Sequence, residues 1–430
     1  MSTNHSDFVA SLQSQIDSLQ IRVKELEAEN AKLLSQLTDR SNHEIEKKLH
    51  GSDDKHMKSK NGNSKTEEKI QKMPGYHSML IKHSKRYVAL TVMYFGKRFY
   101  GFSSEGQMDP TVESEIFKAL EKTRLLVGDK KESQYSRCGR TDKGVSSVGQ
   151  VIALFLRSNL KVSGTNNRNA GEIFSEEPHE GEIDYVKVLN RVLPNDIRIL
   201  GWCPVPVDFH ARFSCLSREY KYFFWRENLN IQDMESAAKN FLGEHDFRNF
   251  CKMDAANVHN YRRQITLFEM SPTNVRYDDN QLWVIKIKGT AFLWHQVRCM
   301  VGVLFMVGKG LESPDVIEIL LDTKRTPRKP QYIMAAEVPL VLQSCEFEDI
   351  RFMCSSDAGE ALRLHLVKEC QTYQLQAAIF HEAILNCVSP SDDQNLQHYG
   401  GTKKKASHVP LLSRPTEPSY EERRVKFNST

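Results

Sequence analysis

Apolar residues recur every seven positions near the N-terminus and predict a coiled coil over residues 7–37. One heptad position is leucine throughout and the other is mostly β-branched, a combination that favours a parallel two-stranded coiled coil. Asn30 is a polar residue at the second position, where it fixes register at some cost in stability. The alternative interpretation is a single amphipathic helix packed on its own domain. The apolar heptad residues are Val9, Leu12, Ile16, Leu19, Val23, Leu26, Leu33 and Leu37.

The sequence over residues 38–84 is polar and mixed in charge, which predicts a flexible linker. From residue 85 onward, β-branched and apolar runs such as RYVALTVMYFG and GQVIALFL predict buried strands. Between them, the spacing in TVESEIFKALEKTRLLV predicts a helix. A polar stretch rich in Asn and Gly at 158–181 predicts an insertion loop.

The following region mixes strands and helices in the same way. RRQITLFEM and QLWVIKIKG predict antiparallel strands, and residues 291–308 predict a helix. Because strands outnumber helices and are often adjacent, the pattern indicates an α+β fold rather than alternating α/β. The sequence pattern divides this part of the chain into an N-terminal half at 85–205, a C-terminal half at 206–345, a helical extension at 346–400 and a basic tail at 401–430.

Composition narrows the class of protein only slightly. Hydrophobic residues make up 40% of the 430 residues, enough for a sizeable core, and no apolar run predicts a membrane helix. The N-terminus does not have the pattern of a secretory signal. The net charge of +4 does not by itself indicate a nucleic-acid partner, because polyanion binding depends on clustered charge. The nine cysteines are scattered without a C-x-x-C, which favours a reducing compartment and argues against a disulfide framework and a zinc site.

The stretch YSRCGRTDKGVSSVGQV, residues 135–151, places a carboxylate among three cations. Turn chemistry alone explains Asp-Lys-Gly, because Asp side chains bond nearby backbone N–H groups and Gly144 can adopt a positive φ. Composition by itself favours this interpretation. The functional alternative is that a closely approaching cation lowers the pKa of Asp142 and keeps it ionised. Asp142 is then a poor general base but a competent nucleophile.

The strand SREYKYFFWR places Tyr220, Tyr222 and Phe224 on one face by its period of two. An aromatic core face is one interpretation, and a platform on which a nucleobase stacks is the other. The preceding sequence FHARFSCLSR adds His210 and Arg212, so aromatic and basic residues alternate in this region.

On the predicted helix FLWHQVRCMVGVLFMVG, His295, Arg298 and Gly302 fall three and four apart and share a face. An unpaired arginine is costly to bury among apolar neighbours. Arg298 therefore either reaches the surface or meets a carboxylate. Gly302 indicates close packing, since glycine costs about 1 kcal/mol relative to alanine in a helix.

The sequence has no Walker loop, no dinucleotide-binding glycine pattern and no H-E-x-x-H motif, so no cofactor and no metal are implied. Basic clusters at 82–86, 324–329 and 403–405 are individually ordinary surface features. Together with the aromatic residues they are compatible with a structured RNA ligand.

Several motifs, taken in order, resemble the TruA-type tRNA pseudouridine synthases. The resemblance covers residues 85–345. Two stretches, TPRKPQYIMAAEVPLVLQSC at 326–345 and HVPLLSRPTEPSYEERR at 408–424, look more like the eukaryotic branch of that family. The resemblance implies an α+β fold with two ferredoxin-like halves and mainly antiparallel sheets. The motifs are YFGKRFYGFSSEGQ, TVESEIFKAL, SRCGRTDKGVSSVGQV, LNRVLPNDIRIL, FHARFSCLSREYKYFF, GEHDFRNFCK and FLWHQVRCMVGVLFMVGKG.

The resemblance also implies roles for individual residues. Asp142 is expected to attack the sugar C1′, and Arg298 to pair with it and keep it ionised. Tyr220 is expected to stack on the flipped base, with Tyr222 as the second choice, and Arg140 to help extrude the uridine. The further substrate-binding candidates are Lys143, His210, Arg212 and His295.

The resulting expectation is an isomerase that converts uridine to pseudouridine in the anticodon stem-loop of tRNA, with positions 38 and 39 as targets. A homodimer in the cytoplasm, the nucleus or both is expected, without a cofactor or membrane attachment. The alternatives are the same chemistry at other RNA positions and a non-catalytic RNA-binding or chaperone protein on the same fold. A third is that the N-terminal heptads recruit another protein.

Overall fold

The computed structural model describes the globular part of the chain and a segment near its C-terminus. The described residues all belong to one unit, Leu80–Thr430. The predicted coiled coil at 7–37 lies outside them, as do nearly all of the linker and most of the insertion at 158–181. The described ranges are 84–104, 108–160, 181–387 and 408–428.

Nine strands in the described part of the chain form one mainly antiparallel sheet. Their bounds are β1 Ser84–Tyr94, β2 Ser136–Arg137, β3 Ser146–Ser158, β4 Ile197–Pro204, β5 Cys215–Trp225, β6 Gly243–Asp246, β7 Arg262–Tyr277, β8 Asn280–Gly289 and β9 Leu340–Phe347. The order across the sheet is β4-β1-β3-β9-β5-β8-β7-β6, and β2 pairs with β3 beside that path. The predicted mainly antiparallel α+β class is confirmed.

The described helices lie between these strands or follow them. Their bounds are α1 Val112–Lys122, α2 Tyr185–Asn190, α3 Ile231–Ala238, α4 Gln296–Gly308, α5 Val316–Leu321, α6 Ser356–Leu385 and α7 Tyr420–Asn428. None of them is both long enough and apolar enough to cross a membrane.

The two parts of the sheet meet where β3 runs parallel to β9. Ser146 pairs with Val341 and Ser147 with Leu342. The Ser147 hydroxyl also donates to the Leu342 carbonyl oxygen at 2.9 Å. We call this junction the seam. It joins strands from the predicted N-terminal and C-terminal halves, and it lies directly after the Asp142 turn in the chain.

Side chains on both faces of β1 are buried, because successive residues of a strand point to opposite sides of the sheet and each side is covered by a core. Leu90 and its neighbours on one face pack in the core that contains α1 and α2. On the other face Tyr87 and Ala89 belong to a small core that also contains Phe209. A third core packs α3, α4 and α5 against β5, β7 and β8. These cores make the sheet a rigid support for the loops at the seam.

The long apolar helix begins later than its sequence predicts. The expected helix spans 291–308, whereas α4 begins at Gln296. His295 has φ +61°, a left-handed conformation that a right-handed helix cannot include. The residues before α4 therefore form a separate bend, and they carry side chains toward Asp142.

Part of the predicted basic tail packs on the globular domain. Leu411 is fully buried in the core around α4. Lys329 Nζ lies 3.4 Å from a carboxylate oxygen of Glu417, and the Glu417 N–H donates to the Lys329 carbonyl oxygen at 2.8 Å. The segment 408–428 thus braces the residues that precede β9.

Replacing Leu411 by alanine should lower the free energy of unfolding of the full chain by about 2–5 kcal/mol, because a buried leucine side chain is removed and a cavity is left. Urea unfolding measures the change. The matched control is Leu412→Ala, since Leu412 is 52% exposed, and its effect should stay within about 0.5 kcal/mol. Equal effects of the two substitutions would contradict the packing of this segment.

Candidate active site

Asp142 opens a tight turn that leads into β3. The Val145 N–H donates to the Asp142 carbonyl oxygen at 3.1 Å, and Gly144 has φ +81°. Glycine is favoured at this third turn position because other residues are strained there. A Cβ on Gly144 would also lie 2.6 Å from Cγ of Glu337. The predicted Asp-Lys-Gly turn is confirmed. The positive φ favours glycine here, and a larger residue would also displace the Glu337 side chain.

Side chains from the sheet hold the loop that carries Asp142. The Tyr94 hydroxyl and Thr141 Oγ1 are hydrogen-bonded at 2.8 Å. The amide of Gln150, which is fully buried, accepts from the Gly139 N–H and donates to the Gly139 carbonyl oxygen. Because these partners lie on β1 and β3, the loop position is set by the sheet.

The Asp142 carboxylate meets the bend before α4. Trp294 Nε1–H donates to Oδ1 at 3.1 Å, and His295 Nε2 lies 3.5 Å from Oδ2. Burial raises the pKa of Asp142 above its ordinary value, while the charge of Arg298 and the Trp294 hydrogen bond oppose that rise. The lowered pKa expected from the sequence is therefore not observed, because burial outweighs the neighbouring cations.

Arg298 is buried and bound to groups on the segment before β9. Its Nη2 donates to Glu337 Oε2 at 2.8 Å, and its Nε donates to the Ala335 carbonyl oxygen at 2.8 Å. Of the two alternatives for this arginine, the structure has the one in which it meets a carboxylate, but the hydrogen-bonded partner is Glu337, whose side chain is 40% exposed. The direct pairing with Asp142 is replaced by a charge that acts on Asp142 through space.

His295 is neutral near pH 7. Burial and the nearby charges of Arg298, Lys252 and Lys329 lower the pKa of this imidazole to about 4. Its contact with Asp142 is therefore between a neutral ring and a carboxyl group. Neutral histidine adds no positive charge to the site, so the electrostatic support for Asp142 comes from Arg298 and Lys252.

Trp294 was not among the residues singled out from the sequence. Its ring is 48% exposed, and Lys252 Nζ lies 4.1 Å from the ring centroid. The Lys252 N–H also donates to the Trp294 carbonyl oxygen at 2.9 Å. In the sequence, Trp294 directly precedes His295 in the run FLWHQVRCMVGVLFMVG, but nothing there shows that its N–H faces Asp142.

The two tyrosines of β5 have different surroundings. Tyr220 lines the cleft above Asp142 and contacts Phe292 edge to face, with ring centroids 5.1 Å apart. Burial raises the pKa of Tyr220 far above its ordinary value, so it is a neutral phenol. Tyr222 is 3% exposed and packs against Phe305 in the core. The structure therefore brings Tyr220 to the site and leaves Tyr222 in the core.

The cleft around Asp142 has a volume of about 1040 Å³ and a strongly basic lining. Only two acidic side chains, Asp142 and Asp254, occur in the described lining. Such a concave surface concentrates positive potential and attracts a polyanion. Lys143 lies outside this lining, with its Nζ 4.5 Å from the Tyr100 ring. The arginines of the lining are Arg137, Arg140, Arg212, Arg218, Arg263 and Arg298.

An exposed aromatic residue stands at the edge of the cleft. Phe213 is 76% exposed, and its ring centroid is 4.5 Å from that of His210. The Arg212 guanidinium lies 5.5 Å from the same ring. The structure thus brings His210 and Arg212 together around the Phe213 ring. Phe213 is not among the residues predicted from the sequence. An exposed aromatic flanked by cations is suited to stacking on a nucleobase.

Residues 237–348 match the family described as tRNA pseudouridine synthase. The chain is 40% identical over 374 residues to the tRNA pseudouridine(38/39) synthase of Homo sapiens, covering 80% of this chain and 77% of that protein. It is 46% identical over 291 residues to the protein of that name from Mus musculus, covering 66% of this chain and 60% of that protein. It is 40% identical over 329 residues to the protein of that name from Saccharomyces cerevisiae, covering 73% of this chain and 70% of that protein.

The low pKa of His295 predicts a specific pH dependence of stability. Between pH 6.5, near its ordinary value, and about pH 4, the unfolded chain binds a proton at His295 that the folded chain does not. Stability from this group is therefore lost as the pH falls through that window. Chemical unfolding at pH 7 and pH 5 should show a smaller loss for His295→Asn, which tolerates the left-handed backbone, than for wild type. His381→Asn, on α6, serves as the control, and an unchanged loss in His295→Asn would refute the assignment.

Proposed function

Because the chain belongs to the tRNA pseudouridine synthase family, we propose that it isomerises uridine to pseudouridine at positions 38 and 39 of the tRNA anticodon arm. The observation that carries this proposal is a partly buried aspartate, Asp142, in an arginine-lined cleft. The names of the relatives from Homo sapiens and Saccharomyces cerevisiae support the two positions.

Binding begins with the charge of the cleft. A stem uridine is inaccessible within the helix, so it must be flipped out at a cost of a few kcal/mol. Phosphate contacts to the cleft arginines offset that cost. Arg140, at the exposed end of the Asp142 loop, holds the distorted backbone, and Phe213 stacks on a base next to the extruded uridine.

Asp142 then acts as the nucleophile. One carboxylate oxygen attacks C1′ of the ribose, and the bond between C1′ and N1 of uracil breaks with its electron pair moving to the base. The uracil rotates within the cleft, and C5 attacks C1′ as the bond to Asp142 breaks. A proton leaves C5 and one is taken up at N1, so the product is an isomer of the substrate. A carboxylate beside an electron-poor sugar carbon is the arrangement that glycosidases also use.

The surroundings of Asp142 act on its ionisation in opposite directions. Burial favours the protonated form of Asp142, whereas the Trp294 N–H and the charge of Arg298 favour the carboxylate. An ionised carboxylate with few solvent contacts is a stronger nucleophile than one in water. The Glu337 carboxylate holds the Arg298 guanidinium in place, so the supporting charge is fixed before substrate binds.

Tyr220 and Phe292 form an apolar wall of the cleft. Their edge-to-face contact leaves the Tyr220 ring as a rigid surface beside Asp142. Such a surface retains the cleaved uracil by stacking while allowing it to turn in its plane. Tyr222 is excluded from this role because the core buries it.

The finer features of the assembly are also proposals. The order β4-β1-β3 with β2 beside β3 supports a ferredoxin-like first half, and the C-terminal half is assigned the same fold. The heptads of 7–37 support a homodimer, which the mass of the full chain in solution tests. We assign the protein to the cytoplasm, the nucleus or both, where its tRNA substrate is found, and microscopy of the tagged chain tests this. A non-catalytic RNA-binding role has no specific support, since the site residues are intact.

The decisive experiment incubates the full chain with unmodified tRNA transcripts and maps pseudouridine at base resolution. Wild type should modify positions 38 and 39. Asp142→Asn should reduce the single-turnover rate on the order of 10⁴-fold, as expected when a nucleophile is removed, with tRNA affinity retained. The matched control is Asp254→Asn, the other cleft aspartate, which should keep its rate within about tenfold. Absence of product from wild type, or equal rates for the two variants, would refute the proposal.

Replacing Trp294 by phenylalanine tests the support of the carboxylate. Activity needs ionised Asp142, so it is lost as the pH falls through the raised pKa of that group. Without the Trp294 N–H the pKa rises further, and the acidic limb of the single-turnover rate should move to higher pH. Trp225→Phe, remote from the cleft and 38% exposed, controls for loss of an indole. An acidic limb that stays in place would show that Trp294 does not support the charge of Asp142.

A further inference from the structure

Three cysteine sulfurs meet in the small core beneath the Asp142 loop. Cys138 lies in that loop, Cys215 begins β5, and Cys345 lies on β9. Their Sγ atoms all lie within 4.8 Å of one another. The three residues are far apart in the sequence, so the absence of a C-x-x-C motif did not reveal them.

The separation of the sulfurs suits a shared metal ion. Zinc–sulfur bonds of about 2.3 Å in a tetrahedral site place the sulfurs about 3.8 Å apart. The sulfur–sulfur distances, which are at most 4.8 Å, therefore need to shorten by no more than about 1 Å to hold the ion. Cys138 also lines the cleft although it is only 2% exposed, so the cluster lies just beneath the cleft surface.

The strand register disfavours a disulfide between β5 and β9. Cys215 lies opposite Phe347, and Cys345 lies opposite Arg218. Neither cysteine faces the other directly, whereas a disulfide needs Cβ atoms about 3.8 Å apart. All three cysteines are free thiols in the structure. The register thus argues against a disulfide between Cys215 and Cys345, and a metal ion is the ligand that uses all three sulfurs at once.

A neighbouring arginine balances the charge of such a site. Arg218 Nη2 donates to the Cys138 carbonyl oxygen at 3.2 Å, so its guanidinium lies beside the cluster. Three thiolates and a divalent cation carry one net negative charge, which Arg218 neutralises. A neutral group is far cheaper to bury than a charged one.

We propose that Cys138, Cys215 and Cys345 form a zinc site in which three thiolates bind the ion and a water molecule takes the fourth position. Binding releases the three thiol protons. The ion would connect the Asp142 loop to β5, which carries Tyr220, and to β9 at the seam. Its role is to fix these three segments relative to one another, and it takes no part in the proposed isomerisation.

The test uses the full chain, incubated with ZnCl₂, dialysed extensively and analysed by mass spectrometry for bound zinc. About one zinc per chain is expected for wild type, together with a higher melting temperature in zinc than after chelation. Replacing all three cysteines by serine should abolish both effects. The matched control is Cys354→Ser with Cys370→Ser, because these cysteines are exposed and should leave both effects unchanged.

Cobalt gives a second readout, since thiolate-to-cobalt absorption bands report sulfur ligation directly. If the triple variant does not fold, Cys345→Ser alone, with its fold checked by circular dichroism, should lose these bands and the retained zinc. Wild type that retains no zinc overturns the proposal, as does a folded variant that binds as much as wild type. Because zinc content is measured without tRNA, this result is independent of the proposed catalytic function.

Discussion

The central constraint in this structure is that two opposite charges are largely withdrawn from water in one cleft, with the Asp142 side chain 21% exposed and that of Arg298 10% exposed. Burying either charge alone costs several kcal/mol. Arg298 is satisfied by Glu337 and the Ala335 carbonyl oxygen, both on the segment that leads into β9. Asp142 precedes β3, the strand that pairs with β9. The carboxylate and the groups that fix its supporting cation therefore lie on the two segments that lead into adjacent strands at the seam, and the surrounding cores keep that seam rigid.

Local features of the site could be predicted from the sequence because local chemistry determines them. The Asp-Lys-Gly turn follows from the preferences of its residues, and Gly144 has the expected positive φ. The main strands follow from apolar alternation, and the order of motifs indicated the family. The start of α4 was missed because His295 adopts a left-handed conformation that helical periodicity does not reveal.

Contacts between distant segments could not be predicted in this way. The sequence pointed to a carboxylate partner for Arg298, but only the tertiary structure shows that it is Glu337. Likewise, the sign of the Asp142 pKa shift depends on how much burial offsets the cations, and one sequence does not give that balance. Tyr220 and Tyr222 share a strand face, yet one lines the cleft and the other packs in the core, and the period of two along a strand does not distinguish them.

The seam also bears on how the protein is made. Ser147 and its partner Leu342 are 195 residues apart, so a long stretch of chain must be ordered before β3 and β9 can pair. Contacts of such separation slow folding, because loop-closure entropy is lost before the contacts form. During synthesis, the Asp142 loop leaves the ribosome long before Glu337 and β9. The first half of the sheet then exposes the β3 edge until β9 arrives, so this edge is where a nascent chain is most open to wrong pairing.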